Sequence, residues 1–230
     1  MADATAVTLD VDAVLFDLDG TLADTAGDLA GAVNRLRREH GLIPVPVASV
    51  RAHASAGARG LLFAGMGVVP TDPEYPVLRD AFLLHYESCL AETTHLFAGV
   101  GKLLDMLDAR GLAWGIVTNK AMRFTQPVVA ALALEKRAGA VVAGDTTPHP
   151  KPHPEPLLHA ARLLDRAPSR CLYVGDDLRD VQAGIAAGMP TLAARWGYLG
   201  TGEPCENWNA TGIADRPLDV LDWLPAKRER

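Results

Sequence analysis

Apolar residues fall into two kinds of spacing along this chain. Short unbroken runs alternate with longer stretches in which apolar positions recur every three or four residues. The run Ala13-Val14-Leu15-Phe16, ending in Asp17, predicts a buried strand over residues 11–17. Leu29, Val33 and Leu36 follow helical spacing. They predict a helix from an Asp24 or Thr25 cap to about His40, stopped by Gly41. From there to about Thr94 the pattern is helical and rich in Ala, Gly and Leu. It is broken at Pro44, Pro46, Pro70, Pro73 and Pro76, and it predicts no strand.

After Phe97 helix and strand alternate. Helices are predicted from Val100 to Gly111 and over 122–134, 155–164, 178–187 and 217–224. Strands are predicted over 112–117, 140–143, 171–174 and 191–194. Such alternation implies an α/β fold, a Rossmann-like doubly wound parallel sheet with helices on both faces. The helical stretch after the first strand reads as an insertion. The expected division is a core of residues 1–22 and 96–230 and a helical cap of residues 23–95, with hinges near 22–24 and 94–97.

Composition adds limits rather than a new picture. The 230 residues are 49% hydrophobic and 22% charged, which excludes bulk disorder. The net charge of −6 argues against nucleic acid as a partner. Cys89, Cys171 and Cys205 form no CxxC pair and read as reduced thiols. The first sixteen residues carry acids where a signal peptide has basic residues, and no apolar run reaches membrane-spanning length. The expectation is a cytoplasmic protein without a membrane partner, monomeric or homodimeric. Trp208 and Trp223 read as packing residues, and residues 227–230 as a frayed basic end.

Polar groups sit where predicted strands end. Asp17-Leu18-Asp19-Gly20-Thr21 follows the first, with its two acids at i and i+2. Thr118-Asn119 follows the strand at 112–117. A proline-rich loop, Pro150-Lys151-Pro152-His153-Pro154, holds a lysine. Gly175-Asp176-Asp177 follows the strand at 171–174, with Asp180 beyond. Each has an ordinary explanation as a cap, a strand-end acid or a surface lysine. Four in a row at strand ends, where open α/β sheets bind ligands, point to one site. Lys120 competes with Lys151 for the cationic position, and the proline cage favours Lys151.

These four segments, in this order, resemble the haloacid dehalogenase superfamily. The resemblance implies a phosphatase. In it Asp17 is the nucleophile that becomes an aspartyl phosphate. Asp19 is the general acid and then the base. Thr118, with Asn119, Gly20 and Thr21, binds the phosphoryl group, and Lys151 offsets its charge. It also implies Mg²⁺ on Asp17, the Asp19 carbonyl and Asp176, with Asp177 and Asp180 in support. In the insertion, Ser55 and Arg59, or Arg51, are candidate substrate contacts, since a guanidinium suits an anionic group.

Absences narrow the reaction. No lysine occurs before Lys102, which disfavours a phosphonatase with a Schiff-base lysine in its cap. Leu29 stands where sugar-phosphate mutases of this cap class carry histidine. Asp19 argues for a phosphatase over a dehalogenase. The segments Trp114–Lys120, Gly175–Asp180 and Trp196-Gly197-Tyr198 resemble both phosphoglycolate phosphatases and N-acetylmuramic acid 6-phosphate phosphatases. The expected substrate is a small phosphorylated metabolite, phosphoglycolate or, alternatively, the muramic acid ester. A receiver-type phospho-acceptor and an inactive binding core are the rivals from other classes. The late acid pair counts against the first, and the intact Asp17, Asp19 and Asp176 against the second.

Overall fold

Strand β1 (Ala13–Phe16) is buried along its whole length, which its four apolar side chains allow. It pairs in parallel with β4 (Ala113–Val117) on one side and β6 (Cys171–Gly175) on the other. With β5 (Ala140–Val142), β7 (Thr191–Ala194) and β8 (Gly212–Ala214) they make a six-stranded sheet in the order β5-β4-β1-β6-β7-β8. This computed structural model describes residues 8–226. The first seven residues and the basic end 227–230 lie outside the described residues.

Every pairing in that sheet is parallel, so the strand ends share one edge. Phe16 lies opposite both Ile116 and Val174. Register therefore carries Asp17, Thr118 and Asp176 to the same carboxyl edge. One face of the sheet packs Val14, Phe16 and Trp114 against α5 (Val100–Arg110) and α6 (Met122–Ala131). The other packs Leu15 and Tyr173 against α7 (Glu155–Leu163) and α8 (Leu178–Ala186).

Between β1 and β4 the chain leaves the sheet through β2 (Ala23–Asp24) and returns through β3 (His95–Leu96). These form a two-residue antiparallel pair. The excursion carries α1 (Ala26–Glu39), α2 (Val47–Arg51), α3 (Gly57–Met66) and α4 (Tyr75–Glu87). They have an apolar centre of their own around Leu29, Val33, Leu61, Leu62 and Phe82. Buried Asp28 of α1 binds the returning strand. Its two carboxylate oxygens accept from the backbone N–H and hydroxyl of both Thr93 and Thr94, at 2.5–3.2 Å.

Several elements differ from the sequence pattern. β8 is an extra edge strand, and the β2–β3 pair is too short to show a period. Residues 217–223 form a 3₁₀ helix rather than an α-helix. α6 stops at Ala131, three residues before the predicted end. Thr25 is the N-cap residue of α1 but makes no side-chain cap bond, while Asp24 Oδ1 accepts from Ala26 N–H at 3.3 Å. All three cysteines are buried and free. Among the described residues no helix is long and apolar enough to cross a membrane.

Candidate active site

The carboxyl edge of β1, β4 and β6 meets the helical layer around a pocket of about 330 Å³, lined by Asp17, Asp19, Thr118, Lys151 and Ser55 among others. Lys151 is its organising cation. Only 4% exposed, its Nζ lies 2.8 Å from Asp17 Oδ1, 2.7 Å from Asp180 Oδ1, 2.8 Å from Tyr173 Oη and 2.9 Å from the Val117 carbonyl. Burial by itself would lower the ammonium pKa; Asp17 and Asp180 more than offset it and hold Lys151 above its usual range. Burial, aided by Asp180 and Asp19, pushes the Asp17 carboxyl up to about 7 against the pull of Lys151.

Asp180 is held by a local sequence rule. Asp177 and Asp180 form a capping box at the start of α8: Asp177 Oδ1 accepts from Arg179 N–H at 2.9 Å, and Asp180 Oδ2 from Asp177 N–H at 3.1 Å. One Asp180 oxygen thus anchors the helix and the other faces Lys151. Gly175 makes this approach possible, because a Cβ there would lie 2.4 Å from Asp180.

Asp176 is completely buried. Thr21 Oγ1 donates to its Oδ1 at 2.8 Å, and Tyr198 N–H to its Oδ2 at 2.9 Å, with Ser55 Oγ at 3.4 Å. No cation pairs with it among the described residues. Burial, then Asp17 and Asp180, drive its pKa well above the ordinary carboxylate range. An anion kept out of water without a counter-charge is costly. Oxygens of Asp17, Asp176 and Asp180 lie within 4.8 Å of one another, a donor set suited to a hard divalent cation. Gly20, at φ +91°, passes so close that a Cβ would lie 2.2 Å from Asp176 Oδ2.

Asp19 is held from one side. Its Oδ1 accepts from Thr25 Oγ1 at 2.6 Å and pairs with Lys120 Nζ at 3.0 Å. Lys120, the rival for the central cationic place, therefore serves Asp19, while Lys151 serves Asp17. Burial would lower the Lys120 pKa, but Asp19 and Tyr86 raise it above its usual range.

Several predicted contacts have protein partners or surroundings of their own. Asn119 lines the pocket but commits its amide to the lysine loop: its Nδ2 donates to the Lys151 carbonyl and its Oδ1 accepts from Lys151 N–H, both at 2.9 Å. It clamps the lysine loop. Thr21 is buried and donates its hydroxyl to Asp176. Arg59 is exposed and lines a neighbouring groove with His53, Leu199 and Thr201. Arg51 pairs with Asp24 at 2.9 Å and stacks on Tyr198.

The sequence pattern assigned no role to several other residues at the site. Tyr198 Oη accepts from the backbone N–H groups of Thr25 and Ala26 at 2.8 and 3.0 Å, so it caps α1 from 170 residues away along the chain. Arg179 donates to both Asp177 oxygens and to the Ser55 carbonyl at 2.6 Å, joining α8 to the helical layer. Against burial, Arg179 holds the Asp177 carboxyl below its usual range. Tyr173, Thr25 and Arg123 also belong to the pocket or its support. Only the acid-rich start of α8 could have pointed to Arg179.

A family model for haloacid dehalogenase-like hydrolases matches residues 11–188. The chain is 41% identical over 189 residues to the N-acetylmuramic acid 6-phosphate phosphatase of Pseudomonas aeruginosa, covering 82% of this chain and 84% of that one. It is 41% identical over 198 residues to the phosphoglycolate phosphatase of Xanthomonas campestris pv. campestris, covering 84% and 86%. A crystal structure described as a predicted phosphoglycolate phosphatase from Haemophilus somnus superposes with a TM-score of 0.80 at 26% identity, over 92% of this chain and 97% of that one. With its motifs gathered at one sheet edge and these matches spanning most of its length, the chain belongs to the haloacid dehalogenase-like hydrolases.

Proposed function

We propose that this hydrolase is a Mg²⁺-dependent phosphatase acting on a small phosphorylated metabolite in the cytoplasm. The observation that carries this reading is the pairing of Asp17 with Lys151 beside a buried, uncompensated Asp176.

Asp17 Oδ1 is fixed by Lys151, and its other oxygen makes no protein hydrogen bond among the described residues. That oxygen attacks phosphorus and the ester P–O bond breaks. Asp19 protonates the departing alkoxide, so the alcohol leaves neutral. In the second half Asp19 takes a proton from water. The hydroxide attacks the aspartyl phosphate, releasing inorganic phosphate and restoring the Asp17 carboxylate. Asp19 suits both tasks because Thr25 and Lys120 hold one oxygen and leave the other toward the pocket.

Thr118, 2% exposed at the end of β4, offers its hydroxyl to a phosphoryl oxygen, and Lys151 offsets charge on both anions. Asp17, Asp176 and the Asp19 carbonyl would hold Mg²⁺, which supplies the positive charge that lets a carboxylate meet a phosphate. The helical layer of residues 23–95 serves as a lid on the core of 1–22 and 96–230. Ser55 and Arg179 support this role by linking the two across the pocket. Sustained Mg²⁺-dependent release of phosphate from p-nitrophenyl phosphate is the expected result. A single stoichiometric phosphorylation, or none, would contradict the reading.

A further inference from the structure

The pocket is larger than a phosphoryl group needs. At about 30 Å³ per water, its roughly 330 Å³ would hold about eleven waters. A two-carbon acid phosphate would displace about four or five of them and leave one wall wet. That wall is apolar, formed by Leu29, Phe82 and Leu83 of the helical layer and Phe124 of α6. Beside it stands Tyr86, only 2% exposed, with Lys120 Nζ 4.7 Å from its ring centroid and no acceptor for its hydroxyl among the described residues. Burial pushes this phenol up to about 12, so it keeps its proton at neutral pH. A buried O–H without an acceptor is a standing cost that a ligand oxygen would remove.

The cations of the pocket can be assigned by elimination. Lys151 is held by Asp17 and Asp180, Lys120 by Asp19, and Arg179 by Asp177 and the Ser55 carbonyl. Arg123 also lines the pocket. Its guanidinium rests on the Phe124 ring at 4.4 Å and has no anionic partner among the described residues. Stacked and exposed, it presents a fork matched to a carboxylate. The arginines of the helical layer are excluded, Arg51 by its pair with Asp24 and Arg59 by its place in the neighbouring groove.

We infer that the alcohol released is a sugar acid, with a ring on the apolar wall, an oxygen accepting from Tyr86 and a carboxylate on Arg123. The inference rests on the phosphatase reading and names its substrate class. A sugar ring has an apolar C–H face and an edge of hydroxyls, which answers both the wall and the orphaned phenol. A two-carbon acid offers an acceptor but no face for the wall, and its one carboxylate cannot serve Tyr86 and a ring-bearing substrate's place on Arg123 together.

The test is kcat/KM for the full chain with Mg²⁺ on four esters: N-acetylmuramic acid 6-phosphate, N-acetylglucosamine 6-phosphate (the same ring without the carboxylate), phosphoglycolate and p-nitrophenyl phosphate. The sugar acid ester is expected to exceed phosphoglycolate by at least about 100-fold. Arg123→Gln is expected to lower the sugar acid ester about 10- to 100-fold, and its carboxylate-free counterpart several times less. Tyr86→Phe should lower both sugar esters alike. A preference for phosphoglycolate, or an equal loss on both sugar esters in Arg123→Gln, overturns the inference while p-nitrophenyl phosphate turnover keeps the phosphatase reading. Absence of turnover on all four esters overturns both.

Discussion

Lys151→Met replaces the buried ammonium with a neutral side chain of similar length. In the native chain Nζ lies within 2.9 Å of Asp17, Asp180, Tyr173 and the Val117 carbonyl. The variant leaves Asp17, Asp176 and Asp180 facing one another with no cation between them. Removing one partner of a buried pair costs about 3–5 kcal/mol. In a chain of this size each kcal/mol moves Tm by about 2–4 °C, so the expected loss is about 6–20 °C. The surviving carboxylates will recover part of this by taking up protons, which places the loss toward the lower end near neutral pH. Catalysis should fall further than stability suggests, because the charge facing the phosphoryl group goes too; about 10²- to 10³-fold in kcat is expected. The assay is a thermal melt by circular dichroism beside p-nitrophenyl phosphate kinetics at a temperature where the variant is folded. Adding Asp180→Asn to Lys151→Met should restore part of the lost Tm, since one unpaired charge is removed. A Tm within about 2 °C of the parent would refute the electrostatic account of this cluster.

Three other outcomes are expected. Mg²⁺ at about 100 times its Kd should raise Tm by about 5–10 °C, because it binds only the folded acidic cluster, and Asp176→Asn should abolish the shift. An equal shift in that variant would place the ion elsewhere. Gly20→Ala should remove both activity and the Mg²⁺-induced Tm shift, since its Cβ would meet Asp176 Oδ2 at 2.2 Å in a backbone at φ +91°; full activity would show that the loop yields. Asp28→Ala should cost about 2–4 kcal/mol in urea unfolding, as four donors from Thr93 and Thr94 lose a charged acceptor. A change within about 0.5 kcal/mol would mean water replaces the carboxylate.

The legible parts of this molecule are those encoded by neighbours in sequence. The runs at β1, β4, β6 and β7 are mostly apolar because the strands are covered on both faces. Asp17, Thr118 and Asp176 could be read as strand-end groups without knowing which strands adjoin. β8 could not, since Gly212-Ile213-Ala214 offers one large apolar side chain. Partnerships that span the chain were also invisible. Nothing near Tyr198 announces that its hydroxyl caps α1, and nothing near Asn119 that its amide clamps the Lys151 loop. Arg59 and Arg123 look alike in sequence. Only the direction in which α3 and α6 turn their side chains separates the groove from the pocket.

Covalent transfer to one carboxylate is the central step, and the phosphoenzyme itself tests it. The chain is mixed with radiolabelled substrate and Mg²⁺, quenched in acid within a turnover, digested and mapped. The label is expected on the peptide containing Asp17, released by hydroxylamine as an acyl phosphate is, and missing from Asp17→Asn. Label on another residue, or turnover by Asp17→Asn at the parent rate, would contradict it.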